Sequence, residues 1–190
     1  MKLSRVQITE FQSIRDSNEF EVGDITCLVG KNEAGKTAVL QALDRLNPVV
    51  GPGTFDVTDD YPRADVEDYR AAVDSKEREP ANVITATFKL DSTELEPITN
   101  DIGANVLPNP ELRLLKGYAN ERKFVLDVNP RALQQLINKA GLPPETEAKL
   151  VQVMSATDAL AALTGAEQTT GVQQLTVKLN KIREIGRAHV

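Results

Sequence analysis

Tryptophan is missing from this 190-residue chain, and it has one cysteine, one histidine and eight aromatic residues, three Tyr and five Phe. A single cysteine, Cys27, excludes an internal disulfide and points to a reducing, cytoplasmic compartment. So few aromatics poorly supply a platform for stacking nucleic-acid bases. Long apolar runs are also lacking, which excludes a transmembrane helix, and the opening Met1-Lys2-Leu3-Ser4-Arg5 has no signal-peptide core. Positive charge is in deficit. The net charge is −6, and the stretch from Thr54 to Pro80 alone carries nine acids against four bases. A stand-alone nucleic-acid binder would show a basic footprint instead. What remains is ordinary for a globular protein, with 41% hydrophobic and 26% charged residues, and the length suits one domain or one and a half.

Apolar periodicity divides the chain. Leu3, Val6 and Ile8 mark a strand that runs into a bend at Phe11 to Ile14. A second short strand follows at Glu19 to Val22, with a turn at Gly23-Asp24. Ile25-Thr26-Cys27-Leu28-Val29 is near-continuously apolar, the pattern of a strand buried on both faces, with Cys27 packed as a small hydrophobe. Lys36 to Leu46 is predicted as an amphipathic helix presenting Val39, Leu40, Leu43 and Leu46, ended by Asn47-Pro48. Val49 to Pro62 reads as a loop, and Asp65 to Ser75 as a short surface helix. A strand is predicted at Asn82 to Leu90, a capped helix from Ser92, and a hairpin from Glu111–Tyr118 and Arg122–Val128. Beyond Pro130 the pattern is helical: Arg131 to Ala140, Glu145 to Met154, Thr157 to Leu163 and Val172 to Arg183. The expected fold is therefore α/β, a nucleotide-binding lobe with a mixed sheet over residues 1–128 and a helical segment over 129–183.

The motif with chemical content is Gly30-Lys31-Asn32-Glu33-Ala34-Gly35-Lys36-Thr37, which fits the phosphate-loop pattern G-x-x-x-x-G-K-[ST]. Its glycines let the backbone wrap a phosphate, its amides form an anion nest, and the following helix adds its positive end. Lys36 reaches the β- and γ-phosphates, Thr37 offers a hydroxyl to Mg²⁺, and Ala38 completes the contact segment. A predicted strand before the motif and helix after it are the context this chemistry needs. The expected cofactors are ATP and Mg²⁺. Asn138-Lys139-Ala140-Gly141 lacks the Asp of a guanine reader, which argues against a GTPase, and the strands ahead of the loop argue against a small-molecule kinase.

The opening from Lys2 to Ile14, with Glu10-Phe11-Gln12-Ser13-Ile14, and then Gly30 to Thr37 with Asn32 inside the loop, resembles the N-terminus of ABC-type ATPase heads of the RecF/SMC/OLD group. Asp60-Tyr61-Pro62-Arg63, followed by a strand, is most similar to the OLD-family ATPase domain, which in that family is coupled to a TOPRIM nuclease. The resemblance is concentrated in residues 1–47. It implies ATP hydrolysis, a homodimer through ATPase heads, and a role on DNA in repair, processing or anti-phage defence. It also implies a signature loop and a Walker B strand ending in Asp-Glu. Leu163 to Gln168 lacks the second glycine of the first, and Phe124-Val125-Leu126-Asp127 is followed by Val128 where the second needs Glu. No catalytic residue is therefore assigned, and the expectation is the N-terminal part of a longer protein that hydrolyses ATP negligibly by itself. A different class is also compatible: a nucleotide-gated DNA-binding or dimerisation switch with little turnover. The final seven residues, Glu184 to Val190, resemble the translation of a sequencing adapter and are expected to be non-native; they include the sole histidine, His189.

Other polar groups have plainer readings. The acids Asp56, Asp59, Asp60 and Asp65 have no fixed spacing and read as a solvated loop rather than a metal site. Arg5, Arg15 and Arg63 read as surface arginines.

Overall fold

A computed structural model describes residues 1–31, 34–103, 107–151, 153 and 156–185. The chain forms two compact units. One comprises Lys2–Phe88 with Arg113–Val125, and the other comprises Met1, Lys89–Leu112 and Leu126–Val190.

In the first unit, β1 (Lys2–Phe11) buries Val6 and Ile8 as the alternation predicts. Glu10 then takes φ 50°, which shifts the phase so that Phe11 turns inward in its place. The chain returns antiparallel along β1 in two pieces, β2 (Ile14–Asp16) and β3 (Phe20–Glu21). Thr9 faces Asp16 and Phe11 faces Ile14, whereas Val6 faces Phe20 and Arg5 faces Glu21. The second register is one residue out of step with the first, so the return strand carries a bulge, at Asn18 with φ 54°. The bend expected at Ile14 is therefore strand. The sheet runs β2-β1-β4-β5-β6, with β4 at Asn82–Lys89, β5 at Glu111–Gly117 and β6 at Arg122–Leu126. The β5–β6 turn is held by Asn120, whose side chain both accepts from Phe55 N (2.7 Å) and donates to Phe55 O (3.0 Å).

Helix α1 (Lys36–Asp44) packs on β1 through Ala38, Val39 and Ala42, and Leu46 beyond its end is also buried. Leu40, expected on the inward face, is 60% exposed. Two shorter helices, α2 (Val57–Asp60) and α3 (Val66–Asp74), lie in the acidic stretch. The region's core is aromatic. Tyr61 and Tyr69 stack at 4.1 Å, Phe11 meets Phe55 edge-on at 5.5 Å, and Tyr118 packs against Phe55, Tyr61 and Tyr69. The Tyr118 hydroxyl donates to Glu10 O (2.6 Å), and burial pushes its phenol well above the ordinary tyrosine range.

The second unit is helical: α4 (Ser92–Ile102), α5 (Pro130–Asn138), α6 (Pro144–Leu150), α7 (Ala156–Leu163) and α8 (Thr170–Ile185). Its core includes Ile98, Leu133, Ile137, Leu150, Val172, Leu175 and Leu179. The α4 cap is Asp91, one residue earlier than expected, in a capping box with Glu94. Asn129 caps α5, and Pro130 occupies its first turn, where a missing N–H costs nothing. Gly165, with φ 82°, lies in the turn that ends the α7 region. No described helix is long and apolar enough to cross a membrane. The expected non-native tail lies beyond the described residues from 186 onward.

Two expectations are corrected here. Ile25 to Val29 is not a buried strand: Ile25 is 89% and Val29 93% exposed, and Cys27 is exposed with them. A strand apolar on both faces needs neighbours at both edges, and no described strand pairs with this one. Asp60 is not solvated either. The first turn of α2, capped by Asp56, swings Asp60 inward to 3% exposure, where it pairs with Arg45 and accepts from Asp56 N at 2.8 Å.

Candidate nucleotide-binding loop

The candidate loop leaves the exposed segment 25–29 at Gly30 and enters α1 at Lys36 without a spacer. Ala34 N donates to Lys31 O (3.2 Å), which tightens its described part. Asn32 and Glu33 lie outside the described residues. Gly35 stands at the helix N-cap with φ 83°, a left-handed conformation that disfavours any side chain. A Cβ there would also lie 2.8 Å from Ile14 Cγ1, so two independent constraints demand glycine.

The start of α1 is electrostatically open. The first amides of a helix lack intrahelical acceptors, and here, among the described residues, no side chain caps them and no acid occupies the first turn. Their partial positive charge is left for an external anion. Lys36 adds a full charge beside them. Its ammonium donates to Gly30 O (2.8 Å) and Lys31 O (2.6 Å), two carbonyls of the loop itself, which closes the loop over the helix end. Thr37 is an exposed residue carrying a hydroxyl, an oxygen of the kind a hard cation takes. Ala38 is buried in the core and offers the site only its backbone. Uncapped amides, the Lys36 ammonium and a first turn without an acid suit a phosphate chain. For Mg²⁺, Thr37 supplies one oxygen, and among the described residues no group of three or more His, Cys, Asp or Glu comes together as a metal cage.

The remaining candidates lie elsewhere. Asp56 caps Thr58 N (2.7 Å) and Asp59 N (3.2 Å), bonds that hold its carboxyl below the usual range. Asp65 pairs with Arg15, and Arg5 with Glu19 at 3.1 Å. Arg63 is exposed. Asp127 follows the last residue of β6 at the end of the hairpin, not a buried catalytic strand.

Sequence reasoning missed the opposite end of α1. Lys116 Nζ donates to Arg45 O (2.6 Å) and Gly53 O (2.8 Å), and Arg122 Nη2 donates to Leu46 O (2.8 Å). A signal was present: Leu112, Leu114 and Lys116 alternate along β5, so Lys116 shares the buried face of the two leucines.

Residues 1–96 match the family model described as an AAA ATPase domain. No curated protein matches the chain.

Proposed function

The chain belongs to the AAA ATPase domain family, and from that premise we propose that the loop from Gly30 to Thr37 binds the phosphates of Mg-ATP in an ATPase head of the RecF/SMC/OLD type. The carrying observation is the uncapped start of α1: left-handed Gly35, no acid in the first turn, and the Lys36 ammonium bridging the loop carbonyls. In this reading the amides at the start of α1 orient the phosphate chain, Lys36 leaves its two carbonyls for the β- and γ-phosphate oxygens, and the Thr37 hydroxyl holds the metal. Bound ATP supplies the phosphoryl group, and Mg²⁺ offsets its charge.

Binding of this kind stabilises the ground state, and rate acceleration needs groups that act only in the transition state. We assign those groups to polypeptide outside these 190 residues, and the exposed segment 25–29 to coverage by further strands of the same longer protein. The exposure of Ile25 and Val29 supports this. Such a protein would work as a head-to-head homodimer on DNA, in repair, processing or defence.

Steady-state phosphate release from the purified chain with Mg-ATP tests the division between binding and turnover, with Lys36→Ala as control. The expected result is release at background in both. Turnover that Lys36→Ala abolishes would place a catalytic carboxylate within this chain and overturn that division.

A further inference from the structure

The nine residues of α1 span about 13 Å, at roughly 1.5 Å each, and both ends are polar. The N-terminal end is the candidate loop. At the C-terminal end, Lys116 and Arg122 bond to the carbonyls that follow the helix, and Arg45, its own C-cap residue, is a third cation there. Arg45 lies with its guanidinium 5.2 Å from the ring centroids of both Phe11 and Phe55, and pairs with Asp60. Arg122 donates to Leu46 O, and Lys116 ties Arg45 O to Gly53 O. Gln12 adds a bond to Gln41, one turn earlier (2.8 Å).

Lys116 is the informative member. It is 4% exposed, and it donates to two backbone carbonyls, Arg45 O and Gly53 O, not to carboxylates. Burying an ammonium is costly, and burial, with Arg122 and Arg45 nearby, pulls its pKa below the ordinary lysine range. A third leucine would continue the row of Leu112 and Leu114 without that cost. What lysine adds is a directed bond to the carbonyl of Arg45, the C-cap residue of α1, at the end where the helix dipole favours a cation. A helix is stiff, so fixing one end of α1 fixes the direction of the other.

We propose that Lys116, assisted by Arg122, is a positioning residue for the nucleotide loop: by pinning the carbonyls just past α1, Arg45 O and, through Arg122, Leu46 O, it sets where Gly35, Lys36 and Thr37 stand, and so couples nucleotide binding to the β5–β6 hairpin. The nucleotide part of this inference rests on the reading of Gly30 to Thr37 as an ATP site; the mechanical part does not.

The test compares the 190-residue chain with Lys116→Met, which keeps length and removes charge, with Lys116→Arg, which keeps charge, and with Tyr69→Phe. The last variant removes the acceptor of Ala81 N in the same unit and serves as the destabilised control. Amide resonances of Gly35 and Lys36 are recorded without nucleotide, and Mg-ATP affinity is measured by calorimetry at a temperature where each variant is folded. Lys116→Met is expected to move both resonances and to weaken Mg-ATP at least about fivefold, the lower end of a usual coupling. Lys116→Arg should recover most of the affinity, and Tyr69→Phe should lower the melting temperature while leaving both readouts in place. Unmoved resonances in Lys116→Met, or an affinity loss no larger than that of Tyr69→Phe, would overturn the proposal. If the parent chain binds no Mg-ATP while the resonances move, the ATP reading fails and the mechanical link stands. Should Lys116→Met not fold, Arg122→Gln, which removes the bond to Leu46 O, takes the same resonance test with the same two outcomes.

Discussion

Single side chains carry opposite duties at the two ends of α1. Gly35 is required for its backbone and for the space it leaves. Gly35→Ala meets left-handed strain and the Ile14 side chain together, whereas Gly51→Ala meets strain alone, because Gly51 has the same φ of 83° and nothing within 4 Å. Thermal unfolding should show Gly51→Ala losing about 1 kcal/mol and Gly35→Ala clearly more; equal losses would mean that Ile14 yields freely. Asp60 answers to Arg45. Removing a buried carboxylate leaves its partner uncompensated, so Asp60→Ala should cost about 3 kcal/mol in urea unfolding. A loss below about 1 kcal/mol would return Asp60 to the solvated loop that its neighbours in sequence suggest. Nothing in the spacing of Asp56, Asp59, Asp60 and Asp65 singled out Asp60, because its burial depends on one short turn capped by Asp56 and on an arginine fifteen positions upstream.

Among the elements, the legible ones were those whose own residues settle their state. The helix after the loop, strand β4 and the β5–β6 hairpin follow from local periodicity. Ile25 to Val29 did not, because an apolar run predicts burial only where a sheet exists to receive it. Since Val29 is 93% exposed, Val29→Lys is expected to change stability by no more than about 0.5 kcal/mol. A loss of several kcal/mol would show that the segment is covered in solution. Helix α4 gives a pH-dependent test. Asp91 accepts from the Thr93 hydroxyl and from Glu94 N (3.1 Å), bonds that depress its carboxyl from an ordinary value near 3.8. A depressed pKa contributes stability that is present above the unfolded value and lost as pH falls through the folded one. The melting temperatures of the parent and Asp91→Asn should therefore differ most at neutral pH and converge in acid. A gap independent of pH would locate the stabilisation in the shape of the cap rather than in its charge.

For the whole molecule, the membership in an ATPase-domain family was readable from a short stretch, because the phosphate-loop pattern is a spacing of glycines in sequence. The clamp at the far end of α1 was not readable, since it joins Arg45, Asp60, Lys116 and Arg122 across widely separated parts of the chain. The central claim is that the Gly30 to Thr37 loop holds a nucleotide through Lys36 and the open end of α1. Calorimetric titration of Mg-ATP into the 190-residue chain and into Lys36→Ala tests it most directly. Saturable binding by the parent, weakened at least about tenfold by the substitution, is the predicted result. Equal affinity in the two proteins, or no binding by the folded parent, would contradict it.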